Sequence, residues 1–264
     1  MKWLGVFMVP EVVATQGLMP RFRSSYVALH VSQKTSKGVS FYSKLVNRPA
    51  GRVLAAAAFA LGLSPNAVTV LSGVSTGIGL VLLVVSTPSV AIGVAVWLCL
   101  ALGFALDSAD GQVARLSGRS SVVGEWFDHT LDAAKMVLVH TAVLVAWYRF
   151  LDLSDAWLLV PLGFQLVSVV TYSGGTLVGL LKRTVARGVS DPVPADGAKP
   201  EGASAVRAAL LIPGDFGILC LSFVLWGAGD AFRDVYLVLF VLNCGLLGAL
   251  LVKWFRELSR VHGA

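Results

Sequence analysis

The chain has 264 residues, of which 56% are apolar and 14% charged, with a mean hydropathy of +0.78 and a formal net charge of +6. Soluble domains carry about 25% charged residues, so this composition excludes a water-soluble globule, and its apolarity excludes a disordered chain. Cys99, Cys220 and Cys244 lie scattered in apolar runs, which indicates neither a zinc site nor a disulfide framework; they read as small space-filling side chains.

In chain order, residues 1–39 carry no assignable pattern. A leader peptide is not expected there, because Lys2 is the whole basic region and Glu11 interrupts the apolar stretch. Residues 40–62 mix Lys44, Arg48 and Arg52 with Phe41, Leu45, Val46, Val53 and Leu54. They predict an amphipathic juxtamembrane helix on a membrane surface, with Pro49 as a kink or as the start of its second half. Six apolar segments follow, at 67–86, 90–116, 122–147, 157–181, 208–227 and 235–254. Each can cross a hydrocarbon core of about 30 Å. None alternates with period two, so all six predict helices rather than barrel strands. Residues 188–206 are rich in Pro, Gly and Ala and predict a flexible loop. The fold class expected is an all-α integral membrane protein, with six transmembrane helices within 65–256.

Basic residues set the orientation. Lys2, Arg21, Arg23, Lys34, Lys37, Lys44, Arg48 and Arg52 precede the first span. Arg115 and Arg119 follow the second, Lys182, Arg183, Arg187, Lys199 and Arg207 follow the fourth, and Lys253, Arg256 and Arg260 end the chain. Only Arg149 and Arg233 fall on the other side, with Lys135 inside the third span. The positive-inside rule then predicts both termini in the cytoplasm of a multi-pass cell-membrane protein. It also accounts for the net charge without nucleic-acid binding, which is not expected.

Carboxylates inside membrane spans are costly and mark functional sites. Span 2 ends with Asp107 and Asp110; span 3 begins with Glu125, Asp128 and Asp132 and continues to Lys135. Helical spacing puts Asp107 and Asp110 on one face, and Asp128 and Asp132 on another. The connection between the spans is short, so the helices are antiparallel neighbours and the Asp residues face one another roughly 10–20 Å from the cytoplasmic turn. Such a cluster needs positive charge between its members, and oxygen ligands suit hard divalent cations. Gly111 and Ala114 keep one helix face bare for a flat group, and Arg115 and Arg119 stand where a phosphate would arrive.

The pattern Asp107-x-x-Asp110-Gly111-x-x-Ala114-Arg115, eight residues, then Gly124-x-x-x-Asp128-x-x-x-Asp132 resembles the signature of the CDP-alcohol phosphotransferase (CDP-alcohol phosphatidyltransferase) family. Ser64-Pro65-Asn66-x-x-Thr69 is similar to the stretch that opens the family's first helix. The resemblance implies an enzyme that breaks the pyrophosphate of a CDP-linked donor, passes the phospho-group to an acceptor hydroxyl and releases CMP, in phospholipid biosynthesis. It implies two divalent ions, Mg²⁺ or Mn²⁺, on Asp107, Asp110, Asp128 and Asp132, with Asp132 as general base. It implies a cytidine and phosphate pocket formed by Asn66, Thr69, Gly111, Ala114, Arg115 and Gly124, with Arg119 at its mouth, and a homodimer.

Some residues keep two readings. Gly124-Glu125-Trp126-Phe127-Asp128-His129 resembles the corresponding run of choline and ethanolamine phosphotransferases, which makes His129 a candidate proton acceptor; the alternative is a hydrogen-bonded packing residue. Glu125 is an accessory ligand or a helix-start charge. Lys135 balances neighbouring carboxylates or contacts a phosphate. Lys135, Tyr172 and Asp215 are the candidate acceptor-site residues, with Ser173 beside them; Asp215 alternatively satisfies the Pro213-Gly214 bend. Lys182, Arg183 and Arg187 bind an acceptor phosphate or only set topology. The amphipathic segment, compact bundle and basic loops favour CDP-diacylglycerol as donor and a polar alcohol as acceptor. The 124–129 run favours a CDP-polar alcohol as donor. A non-enzymatic alternative, an ion-coupled transporter, predicts carboxylates spread through the membrane depth rather than gathered at one end.

Overall fold

The computed structural model describes residues 17–31, 42–188 and 212–261. The described residues form α1 (Leu18–Val31), α2 (Arg48–Ala60), α3 (Pro65–Val85), α4 (Val90–Ser117), α5 (Val122–Phe150), α6 (Leu159–Gly188), α7 (Phe216–Ser222) and α8 (Ala231–Val261). A π-helical turn, Ser43–Asn47, leads into α2, and short 3-10 turns precede α6 and flank α7.

Serine caps set the starts of the first three long helices. The Oγ atoms of Ser64, Ser89 and Ser121 accept from the backbone N–H groups of Ala67, Ile92 and Gly124, at 3.2, 3.2 and 3.0 Å. Each satisfies a donor that the first helical turn leaves orphaned. Pro65 occupies the first turn of α3, where its missing N–H costs nothing. Gly118, at φ +64°, ends α4 in the left-handed conformation that glycine adopts without a Cβ penalty. The chain then turns within a few residues into α5, so α4 and α5 run antiparallel.

Five helical stretches are long and apolar enough to cross a membrane: Pro65–Val85, Val90–Ser117, Val122–Phe150, Asp155–Val185 and Ala231–Arg260. The chain is a multi-pass membrane protein. The apolar segment 208–227 differs from the expectation. Its described part is broken into the turn Ile212–Gly214, the seven-residue α7 and the turn Phe223–Leu225. Pro213 and Gly214 lie in the first of these turns, and Asp215 starts α7 by accepting from the N–H of Gly217 at 2.9 Å. The ten apolar residues Phe216–Leu225 rise only about 15 Å as a helix. The rest of that segment from 208 to 211 lies outside the described residues, as does the loop expected at 188–206 apart from Gly188, which ends α6.

Small residues let α3 and α4 approach. Ser72 Oγ donates to Gly103 O at 2.7 Å and Ser75 Oγ to Cys99 O at 2.8 Å. A Cβ on Gly79 would lie 2.9 Å from that of Cys99. Close contact through small side chains is how helices associate where lipid removes the hydrophobic drive.

Two apolar clusters flank the acidic region. One, with Leu83, Val96, Trp147, Phe164, Phe223, Phe232 and Tyr236, joins α3 to α8. Within it His140 is buried, its Nδ1 2.6 Å from Tyr236 Oη and its Nε2 2.8 Å from Ser168 Oγ, which ties α5 to α8 and α6. The other, with Leu29, Ala55, Ala56, Ala58, Val68, Ala109 and Val113, seats α1 and α2 on α3 and α4. The alanine face of α2 is buried while Leu45, Val46 and Val53 beside it stay exposed. Pro49 sits in the first turn of α2 and starts it. Residues 18–31, unassigned by pattern, thus form a helix whose inner face completes this cluster.

Candidate active site

A cavity of about 630 Å³ opens where α3, α4 and α5 meet the turn between α4 and α5. Pro65, Asn66 and Thr69 line it from α3, and Asp110, Gly111, Ala114 and Arg115 from α4. Arg119, Ser120 and Ser121 come from the turn, Gly124, Glu125, Asp128 and His129 from α5, and Arg183 from α6. Asn66, Thr69, Gly111, Ala114, Arg115, Arg119 and Gly124, the residues expected around the cytidine and its phosphates, therefore line one cavity. Its floor is acidic and its mouth basic.

The four aspartates come together on α4 and α5. Asp110 and Asp128 lie close enough to interact electrostatically, as do Asp107 and Asp132. Asp110 is buried and fixed: Thr69 Oγ1 donates to its Oδ2 at 2.7 Å, and the N–H of Gly111 donates to its Oδ1 at 2.5 Å. Asp128 is less satisfied, since its Oδ1 is buried with no hydrogen-bond partner. Asp128, His129 and Asp132 also offer ligand atoms within 4.8 Å of one another.

These observations fit a divalent cation. Facing carboxylates need a shared proton or a cation between them, an orphaned carboxylate oxygen is a ligand awaiting one, and a set of mostly oxygen donors suits Mg²⁺ or Mn²⁺. His129 joins the set by geometry, whereas the spacing pattern had pointed to aspartates alone.

Lys135 lies deeper and does not line the cavity. Its Nζ contacts Asp107 Oδ1, donates to Asp132 Oδ1 at 3.0 Å and donates to Ser72 Oγ at 3.0 Å. Ser72 escaped the sequence analysis, although Thr69, Ser72 and Thr76 form a buried small-polar stripe at helical spacing along α3.

His129 is braced from α6. Tyr172 Oη donates to the carbonyl oxygen of His129 at 3.0 Å and lies 3.2 Å from its Nδ1. The His129 Nε2 is 3.9 Å from Glu125 Oε1, and Glu125 Oε1 accepts from Arg183 Nη1 at 2.5 Å. Glu125 and Arg183 thus close the α6 side of the cavity. Lys182 turns away to Glu257 on α8, at 2.5 Å.

Asp215 sits apart from this cavity's lining. Besides capping α7, it accepts from the N–H of Ser43 at 3.0 Å and from Ser43 Oγ at 3.1 Å. That places it as a tie between α7 and the turn leading into α2. Ser173 Oγ is bonded to Val169 O at 2.7 Å within its own helix. The Arg187 side chain lies outside what the structure describes.

Comparison with known proteins agrees with this geometry. Residues 62–241 match the CDP-alcohol phosphatidyltransferase family. A curated relative, cholinephosphotransferase 1 of Xenopus laevis, is 33% identical over 92 residues. That stretch is 33% of this chain and only 23% of the relative's length. The family match runs from the start of α3 into α8 and contains the whole acidic cluster, so the chain belongs to the CDP-alcohol phosphatidyltransferase family.

Proposed function

We propose that this chain transfers a phospho-linked group from a CDP-linked donor to an acceptor hydroxyl and releases CMP, as a step of phospholipid synthesis, at a site open to the cytoplasm. The observation that carries the reading is one cavity in which an acidic floor, a bare glycine face and three arginines meet. Gly111 is the point of closest approach: a Cβ there would touch only Arg115 Nη1, at 3.5 Å, so nothing but the absent side chain keeps that helix face clear. The cytidine and its phosphates lie along this face, with Asn66, Thr69, Ala114 and Gly124 around them and Arg115 and Arg119 on the phosphate oxygens.

Asp107, Asp110, Asp128 and Asp132 would hold the divalent ions, Mg²⁺ or Mn²⁺, which when bound would supply neutralising positive charge for the phosphate oxygens and the departing CMP. The chain's own groups hold the acceptor and remove its proton. Asp132 is the general base in the family's pattern, and it accepts from Lys135 Nζ at 3.0 Å, which fixes its carboxylate in place. His129 is a second reading for the base, favoured because it lines the cavity and Asp132 does not. The Tyr172 hydroxyl proton is committed to the His129 carbonyl, so the Nδ1 contact is assigned as Nδ1–H donating to Tyr172 Oη. That leaves the Nε2 lone pair to take a proton where His129 is the base, or to bind the ion where it is a ligand, but not both.

Val122, Val123 and Trp126 are exposed beside the cavity-lining Ser121, Gly124 and Glu125. This apolar rim suits acyl chains, so one substrate is a membrane lipid. If the donor is CDP-diacylglycerol, the lipid arrives with the nucleotide and the acceptor is a polar alcohol. If the donor is a CDP-polar alcohol, the lipid is the acceptor. The amphipathic leading segment supports the first; the 124–129 run and the cholinephosphotransferase relative support the second. Homodimers are part of the same proposal. Labelled transfer in lipid nanodiscs, comparing CDP-diacylglycerol plus polar alcohols with CDP-choline or CDP-inositol plus diacylglycerol, decides the donor. Product from neither pairing, by protein that also fails to bind CMP, refutes the transferase reading.

A further inference from the structure

Lys182 and Arg183, consecutive on α6, are held by carboxylates on two different helices. Lys182 Nζ donates to Glu257 Oε2 on α8 at 2.5 Å, and Glu257 Oε1 lies 3.7 Å from Lys253 Nζ. Arg183 Nη1 donates to Glu125 Oε1 on α5 at 2.5 Å. The second pair borders the cavity, which Arg183 and Glu125 line together with Arg115 and Arg119. The two side chains of that pair are 57% and 47% exposed. An ion pair in such a setting contributes little to stability, because water and salt screen it. A phosphate group entering the cavity offers the guanidinium more negative charge than one carboxylate and a matching pair of acceptor oxygens. The same phosphate is repelled by Glu125, which stands beside its path. Both effects drive the pair apart and turn Arg183 toward the phosphate.

We propose that Arg183 is a phosphate-binding residue in competition with Glu125: its guanidinium exchanges the carboxylate on α5 for a phosphate group of a substrate. The inference rests on the transferase reading and adds to its phosphate contacts a third arginine, brought in by α6. It gives Glu125 a role as the competitor that Arg183 leaves. The phosphate belongs to the CDP-linked donor or to a phosphorylated acceptor. The chemistry of recognition is the same for both, and the test separates them.

The test is equilibrium binding of CDP, which carries both donor phosphates, and of glycerol 3-phosphate to the purified full chain in nanodiscs at saturating Mg²⁺. Arg183→Gln is expected to weaken one of these ligands roughly three- to tenfold. Glu125→Gln is expected to tighten the same ligand about two- to fivefold, because the competitor is gone. The opposite signs are the signature, since two residues that only held each other in place would both weaken binding. The double variant is expected to bind like Arg183→Gln. Lys182→Gln makes the same change in charge one residue away, with its partner on α8, and is expected to leave both ligands unaffected. A change in CDP affinity assigns the phosphate to the donor, and a change confined to glycerol 3-phosphate assigns it to the acceptor. Affinities unmoved by Arg183→Gln or by Glu125→Gln, weaker binding in Glu125→Gln, or a loss in Lys182→Gln equal to that in Arg183→Gln overturns the inference and leaves the transferase reading standing. Wild type that fails to bind CDP overturns both.

Discussion

Tyr172 on α6 and His129 on α5 are joined twice: the tyrosine hydroxyl donates to the histidine carbonyl at 3.0 Å, and its oxygen lies 3.2 Å from Nδ1. This pair fixes the histidine ring against α6 and leaves Nε2 3.9 Å from Glu125 Oε1. Tyr172→Phe removes both contacts and keeps the ring. A lost hydrogen bond of this kind is worth about 1 kcal/mol, so kcat should fall roughly five- to tenfold with KM for donor little changed. Unaltered kcat would show that His129 orientation does not matter to turnover.

Asp132 and His129 compete for the role of base, and their variants separate them. The residue that takes the acceptor proton should lose on the order of 10²–10⁴ in kcat when made unable to accept it, as in Asp132→Asn or His129→Gln. Both residues belong to the group whose ligand atoms converge, so either variant should also weaken Mn²⁺ binding, and the base is the one whose loss in kcat persists at saturating Mn²⁺. Steady-state kinetics beside metal titration distinguishes the two.

Thr69 acts through Asp110. Its hydroxyl donates to Oδ2 at 2.7 Å in a buried setting. Thr69→Val keeps the shape of α3 and removes that bond. Partners behind a metal ligand are typically worth about 10–100-fold in metal affinity, so the Mg²⁺ concentration for half-maximal activity should rise by that order. Activity at saturating Mg²⁺ should recover most of its loss.

Gly111 separates stability from function. It lies inside α4 and is open on its cavity side. Gly111→Ala adds a better helix former, worth up to about 1 kcal/mol, and should raise the melting temperature. The same methyl group occupies the face where the nucleotide lies, so donor KM should increase severalfold. Thermal unfolding and kinetics on one preparation check both; a rise in stability with unchanged KM would move the nucleotide elsewhere.

The spacing of Asp107, Asp110, Asp128 and Asp132 was enough to bring them together, because helical periodicity and one short turn leave little freedom. The caps Ser64, Ser89 and Ser121 went unread, although each stands just before one of the first three apolar runs. The deeper layer was less legible. That Lys135 reaches Asp107, and that Ser72 supports it, depends on how α3 lies against α4 and α5, a tertiary fact with only the Thr69-Ser72-Thr76 stripe to announce it. The break at Pro213-Gly214 was visible as a bend but weighed less than the apolar run around it. The helix at 18–31 escaped because its buried positions are few and its packing partner, the alanine face of α2, is contributed by another segment. Arg183 entered the cavity from α6 for a similar reason: residues 58 positions apart meet only once the bundle is assembled.

The most direct test of the account is CMP release by the purified chain in nanodiscs with a CDP-linked donor and a hydroxyl acceptor, with and without Mg²⁺, in wild type and in Asp128→Asn. Asp128 is the residue to change because its buried oxygen has no partner other than the ion the account places there. Release that requires Mg²⁺ and disappears in Asp128→Asn, in protein of unchanged melting temperature, is the predicted result. Release that persists in chelator, or that Asp128→Asn leaves intact, would contradict it.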